Sequence, residues 1–368
     1  MVADGHKGRG AISATDGRFA SRAVELDDDE AHRRAATAPE TVVRAMPAGR
    51  IISSNSSPDV PFDLSINPYQ GCEHGCIYCY ARPTHSYLDL SPGLDFETQI
   101  FYKPNAAARL LNEWRKPGYR CKPITIGANT DPYQPAEKSL RVTRQLLELF
   151  LKYRHPVNII TKSHLVCRDI DLLAPLASAR LASVAISMPT MNAELKRMME
   201  PRVPSAAARL NAARTLDERG VPVSVLLAPI IPAINDDEIE AILQAAANAG
   251  AKQAHYIFLR LPHEVKTIFA EWLETRFPDR AWRVMSLVRQ ASGGRNYDNR
   301  FGIRQTGRGH YAQMLAARFK ACCQRLGLNA ESYQQTLDRN QFVRPGQRQL
   351  GLDFEDSRSA TAGTDQAV

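Results

Sequence analysis

No stretch of this chain approaches the ~20 apolar residues of a membrane-spanning helix, and its first residues lack the apolar centre of a secretory signal. The expected compartment is therefore the cytoplasm. Cysteine is scarce and odd in number, seven in 368 residues, which does not read as a disulfide framework. Large apolar side chains are thin at the start, so residues 1–50 are expected to form a disordered arm, unable to offset its own ordering entropy. Within that arm, Lys7-Gly-Arg-Gly-Ala11 and Gly17-Arg-Phe19 could become ordered on a partner. Acids are almost missing between Arg280 and Arg325, where Asp298 stands against nine arginines and Lys320, in a chain of net charge +8. Such a block either attracts phosphates, by Coulomb forces and counterion release, or is a solvated face without a dedicated partner.

Against that scarcity, three of the seven cysteines fall within eight residues. Cys72, Cys76 and Cys79 lie in Asn67-Pro-Tyr-Gln-Gly-Cys-Glu-His-Gly-Cys-Ile-Tyr-Cys-Tyr-Ala-Arg82. Three thiolates at CxxxCxxC spacing can hold three irons of a [4Fe–4S] cube. Ordinary electron-transfer clusters use four cysteines, and the next one here is Cys121. One iron would keep an open coordination site. Zinc is the rival reading, since Cys72, His74, Cys76 and Cys79 include four potential ligands. Structural zinc sites usually staple two separated pairs, however, and no second pair follows. The bland reading makes the cysteines ordinary buried apolar residues, which three in eight positions disfavours.

From Pro61 onward, short β-branched runs alternate with helical periods. The runs are Pro123-Ile-Thr-Ile-Gly127, Val157-Asn-Ile-Ile-Thr161, Leu181-Ala-Ser-Val-Ala-Ile-Ser187, Val221-Pro-Val-Ser-Val-Leu-Leu227 and His255-Tyr-Ile-Phe-Leu-Arg260. Helices are predicted over 105–116, 140–154, 169–179, 205–219, 236–249 and 265–276. With the strand leading into the cysteine loop, this makes six β/α units, and such alternation predicts a parallel sheet, buried between helices or closed into a barrel. Eight units would be needed for a full TIM barrel. The long connection 81–104 reads as a functional loop, with turns at Pro83-Thr-His-Ser-Tyr87 and Leu90-Ser-Pro-Gly-Leu-Asp-Phe96. The core is bounded at 51–276, followed by a basic C-terminal extension over 277–328, expected as a helix, a loop over 292–310 and a helix over 311–325, and by a polar, disordered tail over 329–368.

The cysteine loop resembles that of the radical SAM enzymes, and more closely that of the branch related to spore photoproduct lyase. Asn129-Thr-Asp-Pro-Tyr-Gln-Pro-Ala-Glu137, Ile160-Thr-Lys-Ser163 and Ala228-Pro-Ile-Ile-Pro-Ala-Ile-Asn-Asp236 look like that branch's segments after strands two, three and five. The flanking runs, including Arg9-Gly-Ala11 and Ala81-Arg-Pro-Thr-His85, are similar to a bacterial subfamily of undefined substrate. The resemblance implies a partial (β/α)6 TIM-like barrel with cofactors at the C-terminal ends of its strands. It implies a [4Fe–4S] cluster on Cys72, Cys76 and Cys79, S-adenosylmethionine on the open iron, and an electron donor of flavodoxin or ferredoxin type.

Carried residue by residue, Tyr78 resembles the aromatic whose backbone meets adenine. Thr130 and Asp131 either hold the methionine ammonium or make an Asx turn before Pro132. Lys162 and Ser187 would meet the carboxylate and ribose. Glu200-Pro-Arg202 would touch the cofactor or, by preference, pair internally. His74, His85 and Tyr80 would shape the loop. The chain departs from its relative where Ile126-Gly-Ala-Asn-Thr-Asp131 carries no cysteine, although spore photoproduct lyase is expected to place its hydrogen donor there; Cys121 and Cys167 flank that position at a distance. The functional expectation is a radical enzyme acting on nucleic acid, in repair or modification, with Tyr297, Phe301 and Tyr311 stacking bases among the arginines. Radical modification of a peptide or small metabolite, and a non-enzymatic Fe–S module that binds nucleic acid or senses redox state, are the alternatives. In the tail, Gln349-Leu-Gly-Leu-Asp-Phe354 resembles peptides that dock on bacterial sliding clamps; the competing reading is a clasp packed onto the barrel.

Overall fold

The computed structural model describes residues 6–20, 39–331 and 336–346. Its main sheet has six parallel strands: β3 (Leu64–Ile66), β6 (Ile124–Ile126), β7 (Val157–Thr161), β8 (Ala182–Ser187), β9 (Val223–Ile230) and β10 (Gln253–Phe258). They are hydrogen-bonded in that order, and the short β2 (Ile52–Ser54) adds antiparallel to β3 at one edge. Helices over Ala106–Arg115, Val142–Lys152, Ile170–Ser178, Ala206–Glu218, Ile239–Asn248 and Val265–Arg276 follow the six strands in turn. The six β/α units expected from the alternation are thus present, with boundaries shifted by only a few residues, in keeping with the partial barrel that the resemblance implies.

Strand periodicity sorts the side chains. In β7, β8 and β9 the fully buried residues alternate with partly buried ones. Val157, Ile159, Val184, Val223 and Val225 belong to the main apolar core. The intervening Ile160, Leu226 and Ala228 line a cleft at the C-terminal ends of the strands. One face per strand therefore makes the core and the other makes the site.

Several expectations need correction. The arm 1–50 is not disordered where it is described: Arg9 and Ala11 are buried, and β1 (Val42–Ala45) pairs parallel with β5 (Gln99–Tyr102). The arm finds its partner within the chain, because Glu97 supplies acceptors for backbone N–H groups that a free arm would leave in water. The connection 81–104 is likewise ordered, with a 3₁₀ helix over Arg82–Leu88, a turn of helix over Asp95–Thr98 and then β5, which pairs antiparallel with β4 (Tyr69–Gln70). The extension needs no such correction: it folds as the two expected helices, Pro278–Ala291 and Gly309–Arg325, against the barrel. Residues 336–346 of the tail are also ordered, with Phe342 packed on Trp114, Tyr119 and His155. The proposed clamp-binding or clasp segment, 349–354, lies outside the described residues.

Candidate functional site

The cysteine loop is held from behind by a single guanidinium. Arg82, fully buried, donates through Nε to the Cys76 carbonyl (3.0 Å), through Nη1 to the Gly93 carbonyl (2.8 Å) and through Nη2 to Glu97 (2.5 Å). Glu97 also accepts the Gly10 and Ala11 N–H groups, both at 2.9 Å. Gly75 adopts φ +66°, and a Cβ there would lie 2.6 Å from Glu97 Oε2, so only glycine fits both the backbone and the contact. From the other side, the Gln134 amide accepts from the Glu73 N–H (3.1 Å) and donates to the Gly71 carbonyl (3.1 Å). The segment after β6 thus clamps the loop.

So fixed, Cys72, Cys76 and Cys79 open onto one cleft, shared with His74, Tyr78, Tyr80, Asn129, Asp131, Lys162, Ser187 and Arg260. It encloses about 920 Å³ of free space, part of it open to solvent. All three thiols are free. Burial pushes the Cys79 thiol up to about 11 and raises Cys76 well above its usual value, with Glu200 adding to the latter. Thiolates in this pocket therefore need a compensating cation, which metal coordination supplies. Among the described residues no group of three or more His, Cys, Asp or Glu is placed to hold a metal ion. A single zinc would draw its ligands to one point at Zn–S distances of about 2.3 Å. A cube instead takes each thiolate on a different iron. The three cysteines on a shared, open-sided cleft fit the cluster.

Lys162 and Glu200 form the polar floor. Lys162 Nζ donates to Ser187 Oγ (2.6 Å) and lies 3.5 Å from Glu200. Glu200 also pairs with buried Arg209 at 2.9 Å and accepts from the Tyr78 hydroxyl. Burial would raise the Glu200 carboxyl, but Arg209 and Lys162 outweigh it and hold the group below the carboxylate range. Glu200 is thus paired internally, as expected, yet within reach of the cleft: its carboxylate lies 3.9 Å from Cys76 Sγ. Arg202 binds Glu73 at 2.9 Å.

Tyr78, Asp131, Lys162 and Ser187 are brought together at the cleft; Thr130 is not. Its hydroxyl donates to the Tyr69 carbonyl (2.7 Å), away from the cleft, so its expected cofactor contact is corrected to a structural one. Asp131 makes the Asx turn, accepting the Tyr133 N–H at 2.9 Å, and also takes Thr161 Oγ1 and the Lys162 N–H, each at 2.7 Å. His74 Nδ1 stands 3.4 Å from it, an ion-pair distance that does not close as a hydrogen bond. Burial alone would lower His74, but Asp131 and Cys72 carry it up to about 10. His85 is buried behind the loop against the Gln99 carbonyl (3.0 Å). At the end of β6, Gly127, Ala128 and Asn129 line the cleft where a donor cysteine is missing, and neither Cys121 nor Cys167 reaches it. Sequence reasoning missed Arg260 and Asn129. The available signal was position, a polar residue just past an apolar strand.

A family model described as the radical SAM superfamily matches residues 66–246. An uncharacterised protein of Mycobacterium tuberculosis is 36% identical over 233 residues, which cover 63% of this chain and 68% of the relative. An uncharacterised protein of Methanocaldococcus jannaschii is 30% identical over 214 residues, covering 58% and 76%. Spore photoproduct lyase complexed with dinucleoside spore photoproduct superimposes with a TM-score of 0.56 at 17% identity, over 86% of this chain and 87% of that one, which establishes a common fold. No helix among the described residues is long and apolar enough to cross a membrane. Radical SAM enzymes use a [4Fe–4S] cluster and S-adenosylmethionine, and the cysteine cleft fits both. The chain belongs to the radical SAM superfamily.

Proposed function

We propose that this enzyme acts on nucleic acid, abstracting hydrogen from a nucleotide in a repair or modification reaction. The carrying observation is the cleft itself, with three thiols on one wall and the cation of Arg260 on another. Cys72, Cys76 and Cys79 would hold the cluster, leaving one iron for the cofactor. Bound there, cluster and S-adenosylmethionine supply one-electron cleavage to methionine and a 5′-deoxyadenosyl radical, which takes the hydrogen atom. Lys162 has three N–H groups and two protein partners, so one remains for the cofactor carboxylate. Ser187 and Tyr78 line the same cleft, where Ser187 would meet a ribose hydroxyl and Tyr78 would offer its backbone to adenine. Asp131, with its oxygens already engaged, orients the loop rather than gripping the ammonium. The barrel walls would orient the reacting groups.

Support for the substrate comes from the neighbour in the same fold whose ligand is a dinucleoside lesion. The exposed Arg295, Arg300 and Arg308, with Phe301 among them, add to it. Without a cysteine at the end of β6, the reaction would end differently from a cysteine-based hydrogen return. The test is anaerobic reconstitution and reduction. The protein should form 5′-deoxyadenosine, and deuterium from a uniformly deuterated oligonucleotide should appear in it. Cys72→Ala, Cys76→Ala and Cys79→Ala should abolish iron binding and turnover, whereas Cys121→Ala and Cys167→Ala should not. Deuterium arriving only from peptide or metabolite fractions would move the substrate to those classes. No 5′-deoxyadenosine from cluster-loaded protein would favour a sensor.

A further inference from the structure

Arg260 follows β10, the last parallel strand, and reaches into the cleft that the three cysteines share. Its guanidinium carbon sits 5.0 Å from the centre of the Tyr80 ring, one residue past Cys79. The Tyr80 hydroxyl donates to the Ala128 carbonyl, which fixes that ring. On its far edge, Arg260 Nη2 donates to the Tyr297 hydroxyl at 3.3 Å. One face and one edge of the guanidinium are thus held by neutral aromatic groups.

Among the described residues it has no paired anion. Arg260 Nε is buried and has no acceptor among the described residues, and no carboxylate there forms an ion pair with it. The acid in this neighbourhood, Asp59, is already engaged by Arg304 and by the Gly302 N–H (2.6 Å). Burial would raise the Asp59 carboxyl, but Gly302, Arg304 and, from farther off, Arg260 together hold it below its usual range. Across the cleft the situation is opposite, since Lys162 is balanced by Glu200. A partly buried guanidinium without a counter-ion is costly, and its planar fork suits a phosphate better than any point charge would.

We propose that Arg260 is a phosphate-binding residue of this cleft, anchoring the phosphodiester beside the nucleotide on which the enzyme acts. The inference rests on the nucleic-acid reading above. Tyr297 would then be a positioning residue, and the loop that carries it also carries the exposed Arg295, Arg300 and Arg308 toward flanking phosphates.

The probe is a thymidine dinucleotide with a natural phosphodiester, compared with the same compound bearing a neutral methylphosphonate. Binding is measured by calorimetry on anaerobically reconstituted protein. Wild type should bind the charged linkage at least about tenfold more tightly, and Arg260→Gln should erase the difference. Arg260→Lys should keep part of it, and visible cluster absorption reports that each variant is folded. Equal binding of both linkages by wild type overturns the anchor without any substitution, and leaves the nucleic-acid reading standing. Undiminished discrimination in Arg260→Gln does the same. If Arg260→Gln loses S-adenosylmethionine binding but still discriminates, Arg260 belongs to the cofactor and the inference fails. If wild type binds neither linkage, the nucleic-acid reading falls and takes the anchor with it.

Discussion

Thr130 and Asp131 are neighbours, yet one faces the Tyr69 carbonyl and the other faces the cleft. Sequence placed both at a strand end and could go no further, because side-chain direction there depends on a turn that only the folded loop defines. The cluster cysteines were legible because their spacing is covalent chemistry, independent of packing. Arg260 was not, since no carboxylate among the described residues pairs with it, and an unmade pair leaves no trace in sequence. Far from the site, His155 makes the opposite kind of point. It stacks on Trp114 (4.6 Å between ring centres), contacts the Tyr119 hydroxyl through Nε2 (2.7 Å) and the Pro156 carbonyl through Nδ1 (3.0 Å), and has no charged neighbour among its ring contacts. Burial holds it down at about 3, the Pro156 carbonyl offsetting only a little. An unfolded histidine titrates near 6.5, so on acidification the unfolded chain gains a proton that the folded chain refuses. Stability from this residue is full above pH 6.5 and falls as pH drops toward 3, by up to about 1.4 kcal/mol per pH unit. Urea melts at pH 7 and pH 5 should show wild type losing about 2 kcal/mol more than His155→Gln. Equal losses would mean that His155 is hydrated in the folded state.

At the scale of elements, the regular barrel was readable and its accessories were not. Periodic apolar runs such as 157–161 and 265–276 carry their own signal, because one face must be buried whatever the neighbours are. The stretch 9–11 has no such face. It is ordered by acceptors eighty-odd residues away, with Arg9 donating to the Glu97 carbonyl (2.8 Å) and Gly10 and Ala11 donating to the Glu97 carboxylate. This strap lies directly on the cluster loop, since a methyl group on Gly10 would fall 1.9 Å from the Gly75 carbonyl oxygen. Gly10→Ala must therefore push strap and loop apart, at a cost of about 1–3 kcal/mol. The expected outcome is a lower melting temperature together with faster loss of iron during gel filtration in air. A variant that melts early but keeps its iron would show that the strap supports the fold and not the cluster loop.

For the molecule as a whole, six strands leave a gap that eight would close. On one side stands β10; on the other stand β3 and β2. The arginine-rich loop of the extension spans that gap: the Phe258 N–H donates to the Gln305 carbonyl (2.7 Å), while Arg304 binds Asp59 and Ser57 in the β2–β3 connection. Composition left this block either a phosphate-attracting face or a solvated one, with Arg304 among its nine arginines. The fold assigns Arg304 to closure, because its guanidinium is engaged and mostly covered. Arg300 is shared with Asp298 and Arg318 with Glu240, so the free positive charge is smaller than the count of arginines suggests. Tyr311 is likewise withdrawn from base stacking, its hydroxyl donating to Asp236. Closure and recognition can be separated. A double-mutant cycle on Asp59→Ala and Arg304→Ala should give a coupling of about 1–3 kcal/mol, and either change should speed amide exchange across 292–308. Arg295→Ala and Arg308→Ala should leave that exchange as it is, and each should lower the salt slope of oligonucleotide binding by about one. Were Arg304→Ala to lower the salt slope without altering exchange, Arg304 would be a nucleic-acid contact and the gap would be held by something else.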